Sequence, residues 1–178
     1  MNTNLLIIGA GGHGRAVKEI AEAMKIFESI RFLDDQINSE LVIGACTNVA
    51  QWKESYRFSI PAFGNAQLRI KWVKMLEEIG YTVPMLVHPL AYVSPSASIE
   101  LGTVVMPHAT IHTNVFIQKG CICSIGSIVD HDAVVESGCH IDCGAIVKSY
   151  CVVPKGTKVE AGTIISNQKI RNNVETIK

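Results

Sequence analysis

A histidine between two aspartates is the part of this sequence best suited to acid–base chemistry. The three residues are Asp130, His131 and Asp132. Imidazole titrates near neutral pH, and a carboxylate on its far ring nitrogen would fix the tautomer and stabilise the imidazolium form. The residues alone fit either a catalytic histidine or a solvated surface histidine. They also leave open which aspartate pairs with the ring.

A glycine-rich turn near the N-terminus is the second candidate site. The apolar run 5–8 and the helical spacing of apolar residues over 14–25 predict a strand before it and a helix after it. The turn contains Gly9, Gly11, Gly12, His13 and Gly14. It fits three roles: binding the phosphates of a nucleotide sugar, binding a dinucleotide through its G-x-G-x-x-G pattern, or a purely structural turn.

Other polar residues within 1–90 could accompany this turn. Asp34 and Asp35 follow a second apolar run and could meet a nucleoside. Asn65 is either the N-cap of a second predicted helix, which ends at Gly80, or a ligand contact. A strand over 81–87 would complete a Rossmann-like half domain. Such a half has room for one mononucleotide, which argues against a dinucleotide.

From residue 93 onward an aliphatic or small apolar residue recurs every six positions. Thirteen positions are in register, from Val93 to Ile165, and Gly, Asn or Asp often stands where a corner would need the left-handed conformation. This period predicts a left-handed parallel β-helix with three hexapeptides in each coil. Residues 93–164 would form about four coils, and residues one coil apart would stack. His112 would then lie beneath Asp130.

Composition and charge exclude several classes of protein. Lys plus Arg and Asp plus Glu each number 16 among 178 residues, so no basic surface for nucleic acid is expected. No apolar run reaches membrane-spanning length and the N-terminus does not resemble a signal peptide, which predicts a cytoplasmic protein without membrane insertion. The six cysteines lack paired C-x-x-C spacing, so we expect neither disulfides nor a metal site.

Four segments resemble the sugar O- and N-acyltransferases of the hexapeptide superfamily: IIGAGGHGRAVKEIAE, FLDD, HPLAYVSPSASIELGTVVMPHATI and SIVDHDAVV. That family includes sialic acid O-acetyltransferases and N-acetyltransferases of nucleotide-linked 4-amino sugars. The resemblance implies a Rossmann-like nucleotide-sugar-binding domain over 1–90, a β-helix acyltransferase domain over 91–165 and a polar tail over 166–178. It further implies that acetyl-CoA binds between neighbouring β-helices of a homotrimer.

The resemblance also implies roles for individual residues. His131 would be the general base, assisted by Asp130 or Asp132, and His140 would meet the acetyl-CoA thioester. The backbone N–H of Ser149, one coil above His131, would hold the oxyanion. Further coenzyme contacts would be Ala161 and Gly162. The nucleotide sugar would contact Gly9, Gly11, Gly12, His13, Gly14, Asp34, Asp35 and Asn65.

These features predict an acetyl-CoA-dependent N-acetyltransferase that acts on a nucleotide-linked 4-amino sugar in surface-glycan biosynthesis. One alternative is O-acetylation of a sialic-acid-type sugar. The other is a non-catalytic sugar-nucleotide-binding protein with a shortened β-helix.

Overall fold

The chain forms a small α/β unit followed by a triangular parallel β-solenoid. The computed structural model describes residues 2–166, so nearly all of the tail predicted over 166–178 lies outside the described residues. Among residues 2–166, no helix has both the length and the apolar character needed to cross a membrane. The predicted fold class is confirmed.

The N-terminal unit is built on a three-stranded parallel sheet in the order β2-β1-β3. Its elements are β1 (Leu5–Ile8), α1 (Gly12–Met24), β2 (Ile30–Leu33), a 3₁₀ helix (Cys46–Trp52), β3 (Phe58–Pro61) and α2 (Ala66–Ile79). Every residue of β1 is buried, because this strand is central in the sheet and covered on both faces. The glycine turn therefore leaves the carboxyl end of the middle strand.

The solenoid has three faces made of two-residue strands. Face 1 contains β4 (Leu86–Val87), β7 (Val104–Val105), β10 (Ile122–Cys123), β13 (His140–Ile141) and β16 (Lys158–Val159). Face 2 contains β5 (Tyr92–Val93), β8 (Thr110–Ile111), β11 (Ile128–Val129), β14 (Ile146–Val147) and β17 (Ile164–Ile165). Face 3 contains β6 (Ser98–Ile99), β9 (Phe116–Ile117), β12 (Val134–Val135) and β15 (Val152–Val153).

The interior of the solenoid follows the six-residue period. The second residue of each strand and the small residue that ends each corner point inward and form one apolar core. Four cysteines belong to this core and are fully buried: Cys121, Cys123, Cys139 and Cys151. They act as small apolar side chains that fill the narrow interior.

The solenoid begins earlier than the sequence interpretation placed it. The segment expected as one strand over 81–87 is divided. Thr82 forms a single parallel bridge with Phe58 of β3 in the N-terminal sheet, whereas Leu86–Val87 forms β4 and pairs with β7 of face 1. Val87 lies six residues before Val93, so its side chain already follows the period and packs against the solenoid core. The first coil therefore starts at β4.

The N-terminal unit packs on face 1 and on the corner between faces 3 and 1. The outward residues Leu86, Val104 and Ile122 of face 1 share a core with the α1 residues Val17 and Ile20. Helix α2 crosses the corner so closely that three successive corner residues must be glycine. A Cβ atom there would approach Val73 or Ile70 to between 2.7 and 3.0 Å, at Gly102, Gly120 and Gly138.

Arg69 of α2 is fully buried in this junction and donates hydrogen bonds to both domains. Its Nε donates to the Gly120 carbonyl and its Nη2 to the Gly138 carbonyl, each at 2.7 Å. Its Nη1 donates to the carbonyls of Phe63, at 2.7 Å, and Gly64, at 3.0 Å. The guanidinium therefore satisfies carbonyls that would otherwise be buried without donors.

Replacing Arg69 with methionine should destabilise the protein by about 3 kcal/mol, because several buried carbonyls would lose their donors. Urea unfolding of the two proteins measures this difference. The control Lys74→Met changes an exposed lysine on the same helix and should shift stability by less than about 0.5 kcal/mol. Equal effects of the two substitutions would contradict the role given to Arg69.

Candidate functional site

His131 lies in the corner between faces 2 and 3, where its ring pairs with Asp132. The distance from His131 Nδ1 to Asp132 Oδ2 is 2.8 Å. Asp130 instead accepts the backbone N–H of His131 at 2.8 Å, and its Oδ1 lies 3.5 Å from His112 Nδ1. The sequence left open which aspartate pairs with the His131 ring, and in the structure it is Asp132. His112 stacks below Asp130, as the 18-residue spacing predicts.

The Asp132 carboxylate determines which nitrogen of His131 carries the proton. Hydrogen bonds from His131, and then from Asn114, hold the pKa of Asp132 below its ordinary value. An ionised carboxylate can only accept, so Nδ1 must be the protonated nitrogen. In the neutral form of the ring Nε2 then keeps its lone pair, and Nε2 has no hydrogen-bond partner among residues 2–166. This arrangement suits a general base.

Two neighbours of the pair were not singled out from the sequence. Asn114 Nδ2 donates to Asp132 Oδ1 at 3.2 Å. The ring of Tyr150 meets that of His131 edge to face, with ring centres 5.3 Å apart. Asn114 lies one coil below Asp132 and Tyr150 one coil above it. The 18-residue spacing that places His112 beneath Asp130 would therefore also have predicted both neighbours.

The glycine turn lines an open cleft of about 410 Å³. Gly11 is the N-cap of α1 and provides no side-chain cap, so the first N–H groups of the helix face the cleft without a capping side chain. A Cβ on Gly12 would have no atom closer than 4.0 Å, whereas a Cβ on Gly14 would lie 2.0 Å from the Gly9 carbonyl oxygen. Gly14 is therefore required for packing, and Gly12 is open to a ligand.

Asp34 holds the backbone of the glycine turn, and Asp35 holds the start of the 3₁₀ helix. Asp34 accepts N–H groups of Ala10 at 2.7 Å, Gln36 at 2.8 Å and Ile37 at 2.7 Å. Although burial opposes the shift, these donors hold the pKa of Asp34 below its ordinary value. Asp35 accepts the N–H of Cys46 at 2.8 Å.

Asn65 caps α2, since its Oδ1 accepts the N–H of Leu68 at 2.8 Å. It also lines the cleft together with Asp34 and Phe63. A second cleft of about 290 Å³ continues from the first and adds Asp35 and Trp72 to its walls. The two clefts form a continuous surface with glycine N–H groups at one end and aromatic rings at the other.

His13 and His140 lie near each other where the N-terminal unit packs on face 1. His140 Nε2 lies 2.9 Å from the hydroxyl of Ser124, and burial lowers the pKa of His140. Burial, followed by the charges of Arg69 and His140, lowers the pKa of His13 to about 4. The buried Nε2 of His13 has no partner among residues 2–166. His13 is thus neutral at physiological pH, with one ring nitrogen free.

Within one chain the predicted site residues fall into two separate groups. His131 and Ser149 occupy the corner between faces 2 and 3, which is opposite face 1 in a triangular solenoid. The glycine turn, His13 and His140 lie at face 1, and the corner that leads from face 1 to face 2 holds Ala161 and Gly162.

Lys158, on face 1, is already paired with Asp142 and Glu160. Across the described residues, no group of His, Cys, Asp or Glu side chains is arranged to hold a metal ion.

Comparisons with known proteins match both parts of the chain. Residues 4–76 match the family described as the PglD N-terminal domain. The acetyltransferase domain of PglB from Neisseria gonorrhoeae is 32% identical over 94% of this chain and 83% of that chain, with a TM-score of 0.89. The same domain in complex with acetyl coenzyme A is 33% identical, with a TM-score of 0.87. A histidine-to-asparagine mutant of perosamine N-acetyltransferase from Caulobacter crescentus, in complex with CoA and GDP-perosamine, shares the fold at 22% identity over 93% of this chain and 89% of that chain, with a TM-score of 0.81.

The buried imidazole of His13 should make stability depend on pH. Because its pKa is about 4 when folded and about 6.5 when unfolded, the unfolded chain binds more protons between these values. Stability should fall by about 3 kcal/mol as pH drops from 6.5 to 4. Urea unfolding across this range should show a smaller decline for His13→Gln. His108→Gln, which removes an exposed histidine, should retain the full decline.

Proposed function

Because this chain belongs to the hexapeptide-repeat sugar acyltransferases, the family of the PglB acetyltransferase domain, we propose that it acetylates the amine of a nucleotide-linked 4-amino sugar with acetyl-CoA. The observation that carries the proposal is the Asp132–His131 pair. Its geometry places the proton of the neutral ring on Nδ1 and leaves Nε2 as the acceptor on a half-exposed corner.

In the proposed reaction His131 Nε2 accepts a proton from the acceptor amine. The amine nitrogen forms a bond to the thioester carbonyl carbon, and the carbon–sulfur bond then breaks to release the coenzyme thiolate. The proton held on His131 can pass to that thiolate, which restores the base. The Asp132 carboxylate stabilises the imidazolium that forms in between.

A backbone donor one coil above the base is available for the oxyanion. The N–H of Ser149 has no acceptor among residues 2–166, and Ser149 stacks on His131. A preorganised N–H of this kind stabilises the negative oxygen of a tetrahedral intermediate. We therefore retain Ser149 as the oxyanion residue. The N–H of Ala161 is also free within the described residues and could serve the coenzyme.

The nucleotide sugar fits the cleft at the glycine turn. Uncapped N–H groups at the start of α1 can bind its phosphates, and the open position of Gly12 lets them approach. The aromatic wall of Phe63 and Trp72 suits a nucleobase. The sugar would then point toward His13, His140 and Ser124.

Face 2 supports the proposed homotrimer. Its outward row runs Tyr92, Thr110, Ile128, Ile146 and Ile164. Tyr92 is 54% exposed, Ile128 38% and Ile164 57%. Exposed apolar rows of this kind are typical of subunit interfaces, whereas the apolar part of the equivalent row on face 1, Leu86, Val104 and Ile122, is already covered by the N-terminal unit.

Packing three copies through face 2 would bring the two groups of site residues together. Each face 2 is bordered by the His131 corner on one side and by the corner that follows face 1 on the other. Around a threefold axis the His131 corner of one copy meets the opposite border of the next. The base and the acceptor cleft would then belong to different copies.

A cytoplasmic location, predicted from the sequence, remains part of this proposal.

Two single substitutions should separate catalysis from acceptor binding. His131→Ala should reduce thiol release by about 10²- to 10⁴-fold and leave nucleotide-sugar binding intact, because only the base is removed. Gly12→Val should instead weaken nucleotide-sugar binding while the oligomer persists. Release of free thiol from acetyl-CoA, with UDP- and GDP-linked amino sugars, and calorimetric titration provide the two measurements. Full activity of His131→Ala would refute the assigned base.

A charge placed on face 2 should separate the subunits. Ile128→Glu should convert the trimer to monomers in light scattering and abolish transfer, while nucleotide-sugar binding remains. The control Ser98→Glu places the same side chain on an exposed outward position of face 3 and should keep both trimer and activity. A fully active monomer would contradict a site shared between copies.

A further inference from the structure

A row of corner residues runs past His131 across three coils. Asn114, Asp132 and Tyr150 follow one another at one-coil intervals and all have left-handed backbone, with φ of 56°, 59° and 62°. Because their backbone conformations match, their side chains leave the corner side by side. Asn and Asp tolerate this conformation better than other non-glycine residues, which allows an amide and a carboxylate to stack here.

The two oxygens of Asp132 have different donors. Asn114 Nδ2 donates to Oδ1 at 3.2 Å, and His131 Nδ1 donates to Oδ2 at 2.8 Å. A carboxylate held through both oxygens cannot rotate without losing a bond. Asn114 is itself held from the coil below, because its backbone N–H donates to the hydroxyl of Ser96 at 3.1 Å. The contacts thus run from Ser96 through Asn114 and Asp132 to the imidazole.

We propose that Asn114 is a positioning residue for acetyl transfer: its amide fixes Asp132 in the orientation that keeps the proton on His131 Nδ1. This inference rests on the proposed function, since it requires His131 to be the base. Without the amide, Oδ1 of Asp132 loses its Asn114 donor, and the carboxylate can turn toward the Tyr150 hydroxyl, which also interacts with it. The ring can then adopt the Nε2–H tautomer. That tautomer presents a donor to the acceptor amine and cannot take its proton.

Asn114→Gly tests this role without straining the corner, because glycine adopts positive φ readily. At saturating substrates we expect kcat to fall about 10-fold, the effect of losing one hydrogen bond to a charged group, with KM for the nucleotide sugar unchanged. Nitrogen-15 NMR of the His131 ring should show a population protonated at Nε2. The matched control His108→Gly makes the same change at another left-handed corner, with φ of 60°, and should preserve kcat.

Asn114→Asp provides a second variant that also tolerates the left-handed corner. It replaces the amide donor with a carboxylate, so kcat should be lower than in the unsubstituted protein, as for Asn114→Gly. The acidic limb of the pH profile of kcat/KM should also move to higher pH, because added negative charge favours imidazolium. The other titratable groups around the ring are Asp130 and Asp132 in its own coil, His112 below and Tyr150 above.

The outcomes separate this inference from the proposed function. Unchanged kcat and an unchanged nitrogen-15 spectrum in a folded Asn114 variant would overturn the positioning role. A lower kcat with an unchanged spectrum would overturn it as well, because the loss would then arise elsewhere. If His131→Ala, assayed in parallel, loses activity while the Asn114 variants do not, only the positioning role fails. If His131→Ala keeps full activity, the assigned base fails first.

Discussion

Backbone hydrogen bonds between successive coils keep residues 18 positions apart in contact, and the rest of the solenoid depends on this register. Ile128, for example, pairs with Thr110 below and Ile146 above. A slip of one residue would turn every inward side chain outward. The same register stacks the corners, so it places His112 under Asp130 and Asn114 under Asp132. The packing of the core and the geometry around His131 therefore have one cause.

The buried guanidinium of Arg69 fixes the second geometrical relation, that between the two domains. Its hydrogen bonds reach two successive corner carbonyls, at Gly120 and Gly138, and also the loop before α2. Helix α2 can approach those corners only because glycine occupies them. The glycine turn thereby takes a fixed position beside His140 on face 1. An N-terminal unit attached by a flexible linker would lack this alignment.

The separation of the site residues around the triangle gives the apolar face 2 a functional meaning. The proposed base on one corner and the proposed acceptor cleft on the opposite face could not act on one substrate within a single chain. Face 2 borders both regions through its two corners, and its outward row carries the exposed Tyr92, Ile128 and Ile164. The same surface that would bury apolar area in the trimer would also complete the active site. In this proposal, assembly and activity are inseparable.

The sequence by itself determined the features that depend on local period and residue type. The six-residue repeat predicted the solenoid and its inward residues, and the glycine turn predicted the strand–helix junction at β1 and α1. The sequence also predicted Asn65 as a possible N-cap of α2, and the hydrogen bond from the Leu68 N–H to Asn65 Oδ1 confirms that cap. These features can be predicted from sequence because each depends on residues within a single turn or a single coil.

Only the tertiary structure decided which groups meet. It selected Asp132 over Asp130 as the partner of His131, because residues 130–133 form a corner whose left-handed residue turns one carboxylate toward the ring. It assigned Gly14 to packing and Gly12 to the open cleft, and it revealed Arg69 as the link between domains. Each of these outcomes depends on backbone directions and on contacts between distant segments, which residue type and spacing do not specify.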